Sequence, residues 1–392
     1  MTAKRWVCFT GAALVALISA CKKAGDSPSP GGGSASPAAP TRGLVIGHYA
    51  SMTGNTAHFG QDTDKAVHMA VDEVNATGGV LGKPVTLTTL DDRGDSAEAA
   101  SAVSRLIDVE HANALIGEVA SSLSLAGGRI AQRRGIPMVS PSSTNPKVTQ
   151  VGDFVFRVCF IDPFQGKVMA TFARNTLKLA EVALLKDVKN DYSIGLADTF
   201  KASFLALGGK ISLEQSYSAG DTDFSAQVTA VKATKAQAIY VPGYYSEVGA
   251  IARTARRLGV QVPLLGGDGW DAPELFTIGG DALEGSYFSN HFAADGAGPK
   301  ARAFIAAFNK KYGQEPTGLG MLGYAAAAVL FDAVKRAGKV DGPAVRDALA
   351  ATKGFEGVSG KITIDKDRNA EKSAVVIKIT GGKGKYETTV EP

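Results

Sequence analysis

The chain has 392 residues, 45% hydrophobic and 20% charged, enough to bury a large core and, by length, to form two or three domains. Its formal charge of +4 comes from 42 basic and 38 acidic residues with no basic block or arginine-rich stripe. That pattern argues against a phosphate-neutralising surface, and so against a nucleic-acid partner.

Lys4 and Arg5 precede an apolar run from Trp6 to Ala20. The run is too short to span a bilayer comfortably and has the form of a secretory signal, which assigns residues 1–20 to a signal peptide. It ends in LISAC, residues 17–21, which resembles a bacterial lipobox. That resemblance implies cleavage before Cys21 and a lipid on its sulfur, hence an exported protein, periplasmic or cell-surface, held at a membrane. Residues 22–42 are dense in Gly, Ser, Pro and Ala and read, with Cys21, as a flexible tether. Once Cys8 leaves with the signal and Cys21 is acylated, only Cys159 remains. It therefore has no internal disulfide partner and reads as a small core residue.

From Gly43 the pattern alternates. LVIGHY (44–49) is a predicted strand, 59–76 an amphipathic helix, PVTLTTL (84–90) a strand, and 96–110 a helix with a cap-like Ser96 and Glu98 at its start. NALIG (113–117), a helix over 124–135 and the strand IPMVS (136–140) come next. A second series has helices at 164–178, 194–208, 224–234 and 248–259, and strands at 182–186, 210–217, 236–243 and 262–267. Such alternation implies parallel sheets with right-handed crossovers, and two successive series imply two doubly wound α/β lobes. The tail adds helices at 299–313 and 320–338 and strands at 361–365 and 374–380, and is expected to return to the first lobe.

In open α/β sheets ligands bind beyond the carboxyl ends of the strands, and there the polar residues collect. Ser121 and Ser122 come after one strand, and Ser142, Ser143 and Thr144 after another. Any one of them alone reads as a helix cap; several hydroxyls beside helix starts suit a carboxylate or phosphate. In the second series Tyr192, Tyr244, Asp268 and Trp270 occupy the same kind of position. An acid and aromatics facing hydroxyl donors describe a cleft for a small zwitterion. The alternatives are surface tyrosines and, for Asp268 between glycines, a turn residue.

The order MTGNTAHFGQD, EVNATGGVLGKPVTL, DDRGDSAEAA, IGEVASS, IPMVSPSSTNPKVT, FRVCFIDPFQG, IYVPGYYSE and GGDGW is similar to branched-chain amino acid binding proteins of ABC importers. The likeness spans nearly all of residues 43–392. It implies the periplasmic binding protein type I architecture, two Rossmann-like lobes joined by a three-crossing hinge. Lobe 1 would comprise 43–161 plus 289–373, and lobe 2 would comprise 162–288 plus 374–392. The resemblance also implies roles. Ser121 and Thr144 would bind a ligand carboxylate, and the Ser142 carbonyl, the Thr144 hydroxyl and Asp268 would take an ammonium, with Ser143 in the same loop. Tyr192 and Tyr244 would close over the ligand, and Phe59, Trp270 and Met321 would shape its side-chain pocket. The sequence departs from the family at Ala120, where the family carries Cys, and at Asp268, a shorter acid than the family uses.

An enzyme finds little support. There is no GxSxG, HExxH, CxxC or complete GxxxxGK[ST], and His48, His58, His68, His111 and His291 have no metal-ligand spacing. GGVLGKP lacks the first glycine of a phosphate loop and carries Pro84 where the hydroxyl is needed. Asp91 and Asp92 read as a solvated strand end. No cofactor, metal or catalytic residue is expected. The expected function is capture of an amino acid, branched-chain or otherwise aliphatic, for an ABC permease. The alternatives are a same-fold binder of an amide, urea or aromatic acid, or a ligand-sensing receptor component.

Overall fold

The computed structural model describes residues 43–295 and 297–392. The signal peptide, Cys21 and the tether lie outside the described residues. The first series folds as β1 (Val45–Ala50), α1 (Ala57–Ala76), β2 (Thr86–Asp91), α2 (Ser96–Asp108), β3 (Ala114–Ile116), α3 (Ser121–Arg134), β4 (Met138–Ser140), the short α4 (Lys147–Gln150) and β5 (Val155–Arg157). The second is α5 (Asp162–Thr171), β6 (Glu181–Asp187), α6 (Asp191–Ala206), β7 (Lys210–Tyr217), α7 (Ser225–Lys232), β8 (Ala238–Tyr240), α8 (Tyr245–Arg257), β9 (Leu264–Gly266), α9 (Pro273–Gly279) and β10 (Tyr287–Asn290). The tail is α10 (Pro299–Tyr312), α11 (Gly318–Ala337), α12 (Gly342–Ala350), β11 (Phe355–Gly357), β12 (Gly360–Ile364), β13 (Ala370–Glu371), β14 (Ala374–Thr380) and β15 (Lys383–Val390).

One lobe is built on a parallel five-stranded sheet ordered β2-β1-β3-β4-β5, the other on a seven-stranded sheet ordered β15-β14-β10-β9-β8-β6-β7. Strands β3, β4, β8 and β9 are buried throughout, which is why they read as apolar runs without alternation. The tail serves both lobes. Val67, Ala70 and Val71 of α1 share a core with Leu322, Ala325, Ala326 and Val329 of α11. Each large aliphatic side chain so buried contributes about 1.5–3 kcal/mol. Gly323 lets the two helices approach, since a Cβ there would meet Thr63 Cγ2 at 2.7 Å. Strands β14 and β15, by contrast, pair antiparallel onto β10 and extend the second sheet, so only part of the tail returns to the first lobe. The chain crosses between lobes after β5, after β10 and between β13 and β14. The second crossing comes after Asn290, because β10 pairs with β9 through Phe288 and with β14 through Asn290.

Several helices begin earlier than their apolar periodicity indicates. Asp95 caps α2, accepting from the backbone N–H groups of Ala97 at 2.8 Å and Glu98 at 3.0 Å, which makes Ser96 the first helical residue and not the cap. Likewise α3, α6 and α8 open at Ser121, Asp191 and Tyr245, so polar residues expected in loops form first turns at the interlobe seam.

Candidate functional site

The seam is assembled from strand ends. On the first lobe β3 delivers Ser121 to the start of α3, and β4 leads into the loop carrying Ser142, Ser143 and Thr144. On the second, α6 begins with Asp191 and Tyr192, β8 leads to Tyr244, and β9 to Asp268 and Trp270. The two sides are in contact. Ser122 Oγ donates to Asp191 Oδ2 at 3.1 Å and accepts from the Asp191 backbone N–H at 2.9 Å, and Asn145 Nδ2 donates to the Asp191 carbonyl at 2.7 Å. Phe59 sets its ring edge-on to Tyr244, with centroids 5.5 Å apart. A cavity of about 380 Å³ opens beside these contacts, lined by Arg93, Ala120, Ser122, Asn190, Tyr244 and Glu247 among others. Ser121, Ser142, Thr144, Tyr192, Asp268 and Trp270 do not line it and are nearly or fully buried.

The buried set is only partly self-satisfied. Ser121 Oγ accepts from the Asn145 N–H at 3.2 Å. Ser142 Oγ and Thr144 Oγ1 are buried with no hydrogen-bond partner among the described residues. Ser143 departs from its expected place. Its hydroxyl turns inward, 2.9 Å from the Val119 carbonyl, 3.0 Å from the Glu118 carbonyl and 2.7 Å from Ser124 Oγ, so it ties the loop to β3. Arg157, fully buried on β5, reinforces the loop by donating to the carbonyls of Ser143 and Asn145.

Across the seam Asp268 is 4% exposed and held from two directions. Gln165 Nε2 donates to Oδ1 at 2.8 Å, and His291 Nε2 lies 2.9 Å from Oδ2. Burial lowers the His291 pKa against the opposing pull of the neighbouring carboxylate, and Nδ1 is buried without a partner among the described residues. The ring stacks on Phe160 at 3.8 Å. Tyr192 and Tyr244 stack 5.3 Å apart at 7°, and the Tyr192 hydroxyl accepts from the Gly269 N–H at 3.1 Å. Neither is a surface aromatic; burial raises both phenols well above their ordinary pKa.

The apolar contributors divide. Phe59 and Trp270 share one cluster with Val119, Tyr245 and Leu319, and Trp270 Nε1 donates to the Val241 carbonyl at 3.0 Å. Met321 belongs instead to a separate cluster with Ala66, Met69, Phe304 and Phe308. Two residues along a helix turn the side chain through most of the opposite face, so Leu319 stands where Met321 was expected.

Residue-by-residue reading also missed Asp162, Gln165 and His291. Asp162 heads α5 at the first crossing, is fully buried, and neither carboxyl oxygen has a hydrogen-bond partner among the described residues. Burial pushes its pKa up to about 8; the Thr144 hydroxyl, nearby but outside hydrogen-bond geometry, opposes the shift and Asp268 adds to it. The sequence signal was FRVCFIDPFQG, which contains Asp162 and Gln165. His291 stands on a crossing with no motif around it. Cys159 lies buried with Sγ 3.5 Å from the Ser143 carbonyl, and burial raises its thiol to about 12.

Residues 43–384 match the periplasmic binding protein family. The Leu/Ile/Val-binding protein BraC3 of Rhizobium johnstonii is 33% identical over 82% of this chain and 87% of its own length. The leucine-, isoleucine-, valine-, threonine- and alanine-binding protein of Pseudomonas aeruginosa is 31% identical over 80% of this chain and 83% of its own. Among solved structures, the leucine binding protein LivK of Thermotoga maritima is 43% identical with a TM-score of 0.86, covering 89% of this chain and 99% of that one. LivJ of Streptococcus pneumoniae, solved in complex with isoleucine, is 34% identical with a TM-score of 0.85 over 90% and 100% of the two chains. A Rhodopseudomonas palustris solute binding protein in complex with 3,4-dihydroxy benzoic acid, at 22% identity and TM-score 0.79, shares the fold. With its two α/β lobes and a polar seam between them, the chain belongs to the periplasmic binding protein family, among relatives that are branched-chain amino acid binding proteins of ABC transporters.

Proposed function

We propose that the protein captures an aliphatic α-amino acid between its lobes and delivers it to an ABC permease. The observation that carries this reading is the pair of buried, unpartnered hydroxyls Ser142 Oγ and Thr144 Oγ1, on the lobe opposite the fixed carboxyl of Asp268. Buried polar groups are normally paired, and an unpaired one costs about 1–3 kcal/mol. A zwitterion offers what the set needs, with its carboxylate on Ser121, Thr144 and the start of α3, and its ammonium on the Ser142 carbonyl, the Thr144 hydroxyl and Asp268. Tyr192 and Tyr244 cover its polar end, and Phe59, Trp270 and Leu319 supply apolar surface for the side chain. The names of the similar proteins support the ligand class.

In the same reading residues 1–20 are a signal peptide, Cys21 carries the lipid, and residues 21–42 tether the lobes outside the cytoplasm. The lobes meet near 161, 290 and 373, at the chain crossings, and close as a hinge on the ligand. No step of chemistry is required of any residue. A thermal-shift panel of amino acids, amides, urea and aromatic acids tests the reading. A branched-chain amino acid at about a hundred times its dissociation constant should stabilise the protein by roughly 2.7 kcal/mol. Stabilisation by benzoate or urea, with none by any amino acid, would overturn it.

A further inference from the structure

We propose that Asp92 and Glu118 hold a single proton between them through Ser51, and that this proton sets how strongly the start of α3 binds an anion. The second half rests on the reading of that helix start as the carboxylate wall.

Ser51, Asp92 and Glu118 come just after β1, β2 and β3, three adjacent strand ends, and none is more than 1% exposed. Ser51 Oγ lies 2.9 Å from Asp92 Oδ1 and 2.8 Å from Glu118 Oε1. A hydroxyl has one hydrogen. With both acids ionised, Ser51 can donate to only one of them, and its oxygen meets the other carboxylate lone pair to lone pair. One proton on the pair resolves this, because the protonated carboxyl donates to Ser51 Oγ and Ser51 donates onward. The other donors are already placed: the Ser51 N–H on Glu118 Oε1 at 2.8 Å, the Gly94 N–H on Asp92 Oδ1 at 3.0 Å, and the Ala120 N–H on Glu118 Oε2. Asp92 Oδ2 is buried without a partner.

No Lys or Arg nitrogen among the described residues bonds either carboxyl. The titratable groups that face the pair are Asp91 and Asp95 beside Asp92, Tyr49 on β1, and Tyr244 from the other lobe. Asp91 and Asp95 oppose a second charge, and neither tyrosine offers a compensating cation. Burial, then mutual repulsion, pushes Glu118 up to about 8, and burial pushes Asp92 to about 6. The two values belong to the coupled pair.

Glu118 reaches the ligand wall in two ways. It occupies the N–H of Ala120, the residue that precedes α3. Its carbonyl also lies within hydrogen-bond distance of the hydroxyls of Ser124, Ser140 and Ser143, at 3.0, 2.9 and 3.0 Å, which pins the serine loop. The partial positive charge of a helix start is about half a unit. A second full negative charge beside it competes with an incoming carboxylate.

Asp92→Asn fits the geometry, since the amide oxygen can keep the Gly94 and Ser51 bonds while the amide nitrogen takes the unpartnered Oδ2 position. This variant limits the pair to at most one negative charge at any pH, and Glu118→Gln does so from the other side. The affinity of wild type for L-leucine should fall about tenfold more than that of Asp92→Asn as the pH rises from about 7 to about 9. The ligand's own ammonium titrates identically in both proteins and cancels. Infrared difference spectra provide a readout without ligand: at neutral pH, wild type minus Asp92→Asn and wild type minus Glu118→Gln should each show one buried neutral-acid carbonyl band, the Asp162 band cancelling in both, and that band should vanish from both differences above the upper pKa. Parallel affinity profiles, or no such band, would overturn the proposal. If no amino acid binds wild type at all, the ligand reading fails and the helix-start half falls with it, while the infrared band still decides the shared proton.

Discussion

His291 Nε2 lies 2.9 Å from Asp268 Oδ2, which joins the second interlobe crossing to the end of β9 inside a nearly solvent-free pocket. The imidazole is fixed by its stack on Phe160, so it aims the carboxyl. Replacing it by phenylalanine keeps the stack and removes the donor. His291→Phe should cost about 1–3 kcal/mol of stability, because a buried acceptor loses a partner, and should weaken amino acid binding about tenfold. Chemical denaturation and calorimetry read the two effects separately. Unchanged affinity would make His291 a packing residue only.

Asp162 makes stability depend on pH. Its folded pKa of about 8 stands above the ordinary carboxyl value, so between the two the folded chain binds more protons than the unfolded chain. Its contribution is therefore neutral in acid, becomes unfavourable as pH rises above about 4, and levels off above about 8. Asp162→Asn should stabilise the protein on the order of a few kcal/mol at mildly alkaline pH and have little effect near pH 4. Denaturation midpoints across that range test it. An equal effect at both ends would mean that the side chain acts through packing and not through its charge.

Much of this arrangement could be read from the residues in advance, for physical reasons. Buried parallel strands such as Ala114–Ile116 and Leu264–Gly266 announce themselves as apolar runs closed by glycine, and α/β sheets bind ligands just beyond the carboxyl ends of such strands. That logic reached Ser121, Thr144, Tyr192, Tyr244 and Asp268. It could not tell that Ser143 turns inward or that Leu319 replaces Met321 beside Phe59, because these depend on the rotation of a loop and of a helix. Strands β5 (VFR) and β10 (YFSN) end in polar residues, so neither stands out as an apolar run. Strand β15, KGKYETTV, is mostly exposed at a sheet edge and lacks an apolar face to mark it. The partners of Asp268 were hidden because Gln165 and His291 are brought together only by the hinge crossings.

The contact between the lobes depends on a missing side chain. Gly195, in the second turn of α6, has no Cβ; one built there would stand 2.6 Å from Asn145 Nδ2 and 3.2 Å from Asp162 Oδ2. Asn145 Nδ2 is the group that bonds the Asp191 carbonyl across the seam. Gly195→Ala should fold, since alanine favours helix by about 1 kcal/mol over glycine, yet hold the lobes apart. Small-angle scattering with saturating leucine should show a larger radius than wild type, with affinity reduced about tenfold or more. A wild-type radius and affinity would show that the seam tolerates the methyl.

The anchor is testable independently of the site. Cys21→Ser should move the protein from the membrane fraction to the soluble fraction and leave ligand affinity unchanged, because Cys21 lies outside the residues that form the two lobes. If the unaltered protein carries no lipid and fractionates as soluble, Cys21 is not an anchor.

The central claim is that the seam binds a zwitterion with Asp268 on the ammonium. Calorimetry on wild type and Asp268→Asn, each titrated with L-leucine and with its deamino analogue 4-methylpentanoate, tests it most directly. Hydrogen bonds to charged groups contribute about 1.5–3 kcal/mol, so wild type should prefer leucine by about one to two decades and the variant should lose most of that preference. Thr144→Val should weaken both compounds, since both carry the carboxylate. If Asp268→Asn binds leucine as tightly as wild type does, Asp268 is a turn residue and the account is contradicted.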